Sequence, residues 1–217
     1  MQDLSPDFFF DLSRFKHKNL FEGCKFPWEA FDKMQKFLSK IKGNAEELNL
    51  PLGVILVHPE SIFIEEDCVI EPGAYIQGPC YLGKGTVVRH AAYIRGQVMT
   101  GERCVIGHTT EVKNALFLNT AHAAHFAYIG DSILGNNTNL GAGTKLANLK
   151  LDGSEVFIRC NGEKISTGRR KLGAILGDGT QIGCNAVSNP GTLTGRNTKW
   201  YPCINRGGFI PPNSIIK

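Results

Sequence analysis

The sequence has 217 residues, which allows one or two domains with a sizeable hydrophobic core. Hydrophobic residues make up 42% and charged residues 20% of the chain, as is ordinary for a soluble globular protein. The formal net charge of +4 is too small to indicate a nucleic-acid-binding protein, although a few basic residues could still bind an anionic small molecule.

The cysteine pattern and the first residues together predict a cytoplasmic protein. The seven cysteines include no CxxC pair, which argues against a disulfide framework and against a zinc site. Asp3 and Asp7 stand where a signal peptide would carry basic residues, and no apolar run reaches the roughly 18 residues of a membrane span. We therefore expect reduced cysteines, no membrane partner and no nucleic-acid partner.

Residues 1–50 are predicted to form a helical N-terminal extension. Ser5-Pro6 is typical of a capped helix start, and Pro27 is predicted to begin a longer helix that ends at Gly43. Apolar residues at three- and four-residue spacing share one face of that helix: Trp28, Phe31, Met34, Leu38 and Ile41. We expect this face to pack against the rest of the chain or against another subunit.

Residues 51–217 follow a six-residue period, which fits neither a helix nor a long strand. The positions that recur six apart are Ile64, Ile70, Ile76, Leu82, Val88, Ile94, Thr100, Ile106 and Val112. A smaller residue follows each of the first eight after four positions: Cys68, Ala74, Cys80, Thr86, Ala92, Val98, Cys104 and Thr110. This alternation predicts an all-β solenoid, in which short strands point one large side chain inward and the cysteines fill the core.

The period breaks in three places. It shifts by one residue at Phe117 and again at Leu134. Residues 149–173 interrupt it as an insertion, in which Asn161-Gly162 between two apolar runs predicts a β-hairpin with a tight turn. The repeat then resumes at Leu176, and the tail from Pro202 to Lys217, which contains Pro211-Pro212, is predicted to be a loop that ends the stack.

Three short motifs between residues 95 and 148 carry a family resemblance: Glu111-Val112-Lys113, His125 to Asp131, and Asn139 to Thr144. The stretch resembles the acetyltransferase domain of the bifunctional bacterial enzyme that makes UDP-N-acetylglucosamine. The resemblance implies a left-handed parallel β-helix of hexapeptide repeats, a homotrimer, and acetyl transfer from acetyl-CoA to glucosamine-1-phosphate or a similar amino-sugar 1-phosphate. The chain shows no counterpart of the uridylyltransferase half, so we expect an acetyltransferase half that stands as a separate protein.

The resemblance also implies roles for individual residues. His125 matches the family's general base, and Glu111 could orient its imidazole. Substrate contacts are implied for Arg95 and Lys113, which would hold the sugar phosphate, and for Tyr128, Asn139 and Asn148. Coenzyme contacts are implied for Ala142 and Gly143 near the acetyl group, and for Lys171 and Cys184. The ordinary alternatives are a solvated Glu111, solubilising cations, and asparagines and glycines that serve only the turns.

The sequence departs from the family pattern beside the proposed site. Leu149 replaces the tyrosine that usually follows the asparagine at position 148, the insertion begins at once, and cysteine replaces a serine at position 184. These differences lie on the acceptor and coenzyme sides.

Two other hypotheses remain open at this stage. One is a zinc enzyme on the same scaffold that uses His90, His108, His122 and His125, although their spacing does not match a three-histidine site and we predict no metal. The other is a β-helix that binds ligands without turnover and partners a separate nucleotidyltransferase.

Overall fold

The computed structural model describes residues 2–217, most of which form a left-handed β-helix of short parallel strands. The strands are, in chain order, β1 (Ile55–Val57), β2 (Ile62–Ile64), β3 (Val69–Ile70), β4 (Tyr75–Gln77), β5 (Cys80–Leu82), β6 (Val87–Val88), β7 (Tyr93–Arg95), β8 (Val98–Thr100), β9 (Val105–His108), β10 (Glu111–Phe117), β11 (His122–His125), β12 (Tyr128–Leu134), β13 (Asn139–Leu140), β14 (Lys145–Leu146), β15 (Phe157–Cys160), β16 (Glu163–Ser166), β17 (Ala174–Leu176), β18 (Gln181–Ile182), β19 (Val187–Ser188), β20 (Thr192–Thr194), β21 (Lys199–Trp200), β22 (Asn205–Arg206), β23 (Phe209–Ile210) and β24 (Ile215–Ile216).

The strands of the solenoid form three faces, each eight strands deep in the described part of the chain. Face 1 contains β1, β4, β7, the first halves of β10 and β12, β14, β19 and β22. Face 2 contains β2, β5, β8, the second halves of β10 and β12, β17, β20 and β23. Face 3 contains β3, β6, β9, β11, β13, β18, β21 and β24. The predicted solenoid is therefore confirmed.

The six-residue period corresponds to the inward side chains. The aliphatic residues that define it, from Ile64 through Leu176, are buried in one continuous core. Cys80 and Cys104 are fully buried there, and burial raises the pKa of the Cys104 thiol to about 12. All seven cysteines are free; Cys80, Cys104 and Cys160 are buried, whereas Cys184 and Cys203 are exposed.

The two one-residue shifts occur where face 1 meets face 2. At this corner β10 and β12 run through from one face to the other, and each turns at one residue with positive φ, Asn114 (φ 44°) and Asp131 (φ 48°). Inward residues are therefore five apart across these two corners, from Val112 to Phe117 and from Ile129 to Leu134. The breaks in the repeat thus mark two tightened corners of the coil.

The N-terminal segment covers the outer surface of face 2. Its helices are α1 (Pro6–Phe9) and α2 (Ala30–Leu38), with 3-10 turns at Lys18–Phe21, Pro27–Glu29 and Ala45–Glu47, and a further 3-10 turn at Pro59–Ser61 lies between β1 and β2. Face 2 presents an outward ladder of apolar side chains, one per strand: Phe63, Tyr81, Met99, Leu116, Ile133, Ile175, Leu193 and Phe209. Aromatic and aliphatic residues of the N-terminal segment pack on this ladder and form a second buried cluster with it.

Two details of the predicted helices were wrong. Ser5 occupies the N-cap of α1 with the extended backbone usual there, but its side chain makes no capping hydrogen bond. α2 ends at Leu38 rather than at Gly43. Gly43 instead lies against the solenoid. An added Cβ there would be 2.5 Å from the carbonyl oxygen of Pro59, so any side chain at this position would prevent the close approach of the two backbones. None of the helices in residues 2–217 is long and apolar enough to span a membrane.

The hairpin predicted in the insertion is confirmed, whereas the loop predicted for the tail is wrong. β15 and β16 form the antiparallel hairpin, and its turn residues Asn161 and Gly162 both have positive φ, as the tight turn requires. The tail is not a loop: β22, β23 and β24 each add a strand to one of the three faces. Its Pro211-Pro212 lies in a turn between β23 and β24, where proline costs no ladder hydrogen bond.

Candidate functional site

A column of three imidazoles lies where face 3 ends and the chain turns towards face 1. His125 is the last residue of β11 and pairs in register with His108 of β9. The His108 ring stacks on the His90 ring, with centroids 6.0 Å apart and an interplanar angle of 12°. His90 Nδ1 lies 2.6 Å from the Pro72 carbonyl oxygen, and His108 Nδ1 lies 3.3 Å from that of His90. A carbonyl can only accept, so Nδ1 of each ring donates to the oxygen that it faces.

Three of the four predicted coenzyme-side residues, Ala142, Gly143 and Cys184, lie on the next coils of the same corner. Gly143 N–H donates to the His125 carbonyl oxygen at 3.2 Å, and Asn185 N–H donates to the Ala142 carbonyl oxygen at 2.8 Å. The backbone N–H of Ala142 has no acceptor among residues 2–217. Cys184 is exposed and lies directly beyond, since an added Cβ on Gly141 would be 2.6 Å from its nitrogen.

Two predicted residues lie away from this corner. Asn139 pairs with His122, three residues before His125 on β11, so it lies inside face 3 rather than beside the imidazole. Lys171 is exposed and forms an antiparallel bridge with Leu149 at the base of the hairpin.

Arg95 and Glu111 form an ion pair on the exposed surface of face 1. Arg95 Nη1 donates to Glu111 Oε1 at 2.6 Å, and the side chains are 41% and 34% exposed. This hydrogen bond raises the pKa of the Arg95 guanidinium. Glu111 makes no hydrogen bond to His125 among the described residues, so the expected contact between them is not formed. Glu111 pairs instead with Arg95 on the adjacent strand.

A more buried network lies where face 1 meets face 2. Lys113 Nζ lies 3.1 Å from Asp131 Oδ2, and the two side chains are 20% and 8% exposed. Asn148 Nδ2 donates to the same Asp131 oxygen. Tyr128 Oη lies 3.4 Å from Asn148 Oδ1. Lys113, Tyr128 and Asn148 are therefore brought together, and the residue that joins them is Asp131.

The chemistry of Asp131 sets the direction of every hydrogen bond in this network. An ionised carboxylate only accepts, so Asn148 must turn its NH₂ group towards Asp131 and its carbonyl towards Tyr128. The Tyr128 hydroxyl must then donate to Asn148, which leaves the lone pairs of its oxygen free to accept from a ligand. Burial raises the pKa of Tyr128, with smaller contributions from the charges of Glu111 and Asp131, so the hydroxyl keeps its proton.

The N-terminal segment reaches the same network. Asn114 Nδ2 donates to Asp131 Oδ1 at 2.7 Å, and Gln35 Nε2 of α2 donates to Asn114 Oδ1 at 3.1 Å. Asp131 thus accepts three side-chain donors. The sequence analysis did not single out Asp131, although the shift of the repeat at Leu134 marked its corner.

Stacked six-residue repeats, a corner imidazole with a free backbone N–H on the next coil, and cations along the neighbouring face together define the hexapeptide-repeat acetyltransferase class. A family model described as the GMPPB C-terminal domain matches residues 76–189. That match covers more than half of the chain, and the chain belongs to this family.

Several curated proteins are similar to this chain. A bifunctional sugar-1-phosphate nucleotidylyltransferase/acetyltransferase of Sulfurisphaera tokodaii is 40% identical over 147 residues, 67% of this chain and 37% of the relative. The bifunctional protein GlmU of Methanococcus aeolicus is 32% identical over 172 residues, 79% of this chain and 41% of the relative. An uncharacterized acetyltransferase, YaiX of Escherichia coli, is 31% identical over 173 residues, 78% of this chain and 75% of the relative. The chain spans about two fifths of the length of the two bifunctional relatives.

Proposed function

We propose that this protein transfers an acetyl group from acetyl-CoA to the amine of an amino-sugar 1-phosphate, such as glucosamine-1-phosphate, for the synthesis of UDP-N-acetylglucosamine or a related sugar. One observation carries the proposal. The exposed imidazole of His125 and the backbone N–H of Ala142, which has no acceptor in residues 2–217, lie at one edge of face 1, and the cations Arg95 and Lys113 lie across that face. Two of the similar proteins, those of Sulfurisphaera tokodaii and Escherichia coli, carry the word acetyltransferase in their names, which supports the same reaction class.

The spacing of the groups supports a ligand of sugar-phosphate size. Tyr128 and Gly130 are two residues apart on β12, and Gly130 is in register with Lys113. Two residues of a strand span about 6.6 Å, the scale of one sugar ring that carries a phosphate. An amine held near Tyr128 would therefore have its phosphate near Lys113 and Arg95.

In the proposed reaction His125 takes the proton that the amine loses as its nitrogen attacks the acetyl carbonyl carbon. As the new C–N bond forms, the C–S bond of acetyl-CoA breaks, and CoA leaves as a thiolate that takes up the proton held by His125 or one from solvent. The Ala142 N–H donates to the oxygen on which negative charge develops, and it is the suitable donor because the Gly143 N–H is already bonded to His125. Cys184, which lies directly beyond Gly141, would contact the coenzyme, whereas Lys171 lies at the base of the hairpin and is given no part in this step.

Arg95 and Lys113 are assigned different parts in holding the phosphate. The Arg95–Glu111 pair is about one third or more exposed on both sides, and such a pair is worth only about 0–1 kcal/mol, so a phosphate can displace Glu111. Lys113 is held by the buried Asp131 and acts as a fixed donor.

A thiol-release assay with glucosamine-1-phosphate and acetyl-CoA tests the proposal. We expect turnover by the intact protein and a loss of about 10²-fold or more in His125→Ala, as for removal of a general base. His108→Ala is the matched control, because it removes an exposed imidazole from the same column, and it should retain turnover. Substantial turnover by His125→Ala would refute the role of His125.

A second candidate is a β-helix that binds sugar phosphate without turnover and acts beside a separate nucleotidyltransferase. The observation that favours it is that both cations of the phosphate grip already have carboxylate partners. It is supported if calorimetry detects binding of glucosamine-1-phosphate while the assay detects no thiol, and turnover at a normal rate by the isolated chain rejects it.

We further propose that the chain is a homotrimer. The N-terminal segment covers face 2, whereas face 1 and face 3 carry no such cover within residues 2–217. Light scattering from the purified protein should give three times the mass of the 23.8 kDa chain.

A further inference from the structure

The hairpin of β15 and β16 has one buried face and one charged face. Ile158 and Cys160 are buried in the cluster that includes the N-terminal segment. Because side chains alternate along a strand, Phe157 and Arg159 point the other way, together with Lys164 and Ser166 of the partner strand. The hairpin therefore presents a polar, basic face away from the core.

Two cations lie directly opposite each other on that face. Arg159 pairs in register with Lys164, and like charges at such a position destabilise a strand pair. Neither side chain forms an ion pair with a carboxylate of residues 2–217. Lys164 Nζ instead lies 3.9 Å from the centroid of the Phe157 ring. Glu155 accepts a hydrogen bond from Ser166, which lowers its pKa, and the charge of Lys164 is near enough to lower that pKa further, but Glu155 and Lys164 form no ion pair. A bound anion would therefore relieve the repulsion between the two cations.

This basic face borders a cleft of about 520 Å³ between the hairpin and the last coils of the solenoid. Its polar and charged lining comes from Lys150, Ser154, Arg159, Lys164 and Asn189, with no carboxylate. Lys150 contributes a third cation from the segment between β14 and the hairpin, and it forms an ion pair with the exposed Asp152 at 3.5 Å.

We propose that this hairpin cleft binds a phosphorylated anion that carries at least two negative charges. Arginine offers a fork of donors that fits phosphate oxygens, and the two lysines add compact charges around it. The volume admits more than one phosphate group. The cleft is lined by none of the residues assigned to the sugar phosphate or to the acetyl group, so this inference does not depend on acetyl transfer.

Such a phosphorylated anion could come from two sources: the phosphate end of the coenzyme, or a separate phosphorylated metabolite. Both use the three cations in the same way. They differ in whether the cleft and the coenzyme groove are filled by one molecule.

Calorimetric titration of the full chain with tripolyphosphate tests the site. We expect saturable binding with one site per chain, weakened at least tenfold in the double variant Arg159→Gln/Lys164→Gln. The control variant Lys36→Gln/Lys40→Gln removes two exposed cations from the end of α2 and its following turn and should change the affinity less than twofold. Absence of saturable binding, or equal weakening by both double variants, overturns the proposal.

A conservative variant separates the site from hairpin folding. Arg159→Lys keeps the charge but loses the fork, so we expect an intermediate loss of about threefold, with a hairpin that resists proteolysis like the parent. Unchanged affinity in both Arg159→Lys and the double glutamine variant overturns the proposal. Titration in saturating CoA then identifies the source: competition assigns the cleft to the coenzyme phosphates, and simultaneous binding assigns it to a separate metabolite. Failure of acetyl transfer would leave both results intact.

Discussion

Replacing Asp131 by asparagine should damage both the stability and the acceptor site. The carboxylate accepts from Lys113, Asn114 and Asn148. An asparagine in its place has one oxygen and one NH₂ group, so at least one of these donors would face another donor. Lys113 would also lose its only ion-pair partner among the described residues.

The cost can be estimated from the burial of the pair. Removing one partner of a fully buried ion pair costs about 3–5 kcal/mol, and Lys113 remains 20% exposed, so we expect about 2–3 kcal/mol for Asp131→Asn. For a chain of this size each kcal/mol lowers Tm by about 2–4 °C, which gives a decrease of about 4–12 °C. Lys113→Met should cost less, because Asp131 keeps two amide donors.

Two measurements test this reasoning. A double-mutant cycle of Asp131→Asn and Lys113→Met should give a coupling of about 1 kcal/mol or more in unfolding experiments. In the thiol-release assay Asp131→Asn should raise KM for the sugar phosphate and leave KM for acetyl-CoA unchanged. Asp178→Asn is the control, since Asp178 is half-buried and also accepts several hydrogen bonds, but it anchors Asp11 of the N-terminal segment. A Tm within 1 °C of the parent, or the same KM change in both variants, would refute the assigned role of Asp131.

Three further predictions follow from single positions. Burial lowers the pKa of His17 to about 4, so the folded protein holds this side chain neutral and loses stability as the pH falls from 6.5 towards 4. Between pH 7 and 4.5 the free energy of unfolding should fall by about 2 kcal/mol in the parent, and His17→Phe should remove this part of the pH dependence. Parallel curves of stability against pH for the two proteins would contradict this. Gly191→Ala should loosen the hairpin and speed its proteolysis, because the added Cβ would lie 2.6 Å from Val156, whereas Gly153→Ala has a similar positive φ in open space and should have a smaller effect. Arg95→Gln should change the free energy of unfolding by at most about 1 kcal/mol, yet raise KM for the sugar phosphate.

The solenoid was predictable from the sequence because its core uses one kind of position repeatedly. Most strands place an apolar side chain at the same inward position, and those residues are six apart except at the tightened corners and the insertion. The ladder on face 2 is also visible in the sequence, because each strand of that face carries an apolar residue between two inward-pointing residues, as Phe63 does between Ile62 and Ile64. Its meaning depends on the cover that residues 4–38 provide, and no local pattern reveals that pairing.

The tail was mispredicted because its last coil departs from the repeat. Arg206 pairs with Ser188 and so occupies an inward position of the repeat, where an apolar residue is expected. The next corner is shorter, so the next inward residue, Ile210, follows Arg206 after four residues instead of six. The candidate site was only partly predictable for a similar reason. The family resemblance assigned Arg95, Lys113 and Tyr128 to one substrate, but the carboxylate with which each cation pairs depends on side-chain geometry across neighbouring coils.

The cover on face 2 has a consequence for the order in which the chain can fold during synthesis. Phe8 lies 6.0 Å from Phe209 between ring centroids, and Arg196 Nη2 donates to the Asp7 carbonyl oxygen at 2.7 Å. The ladder under the N-terminal segment is complete only when the coil that contains Phe209 has left the ribosome. The aromatic residues around Phe8 are made long before then, and they must stay unpaired or be shielded until the solenoid behind them is finished.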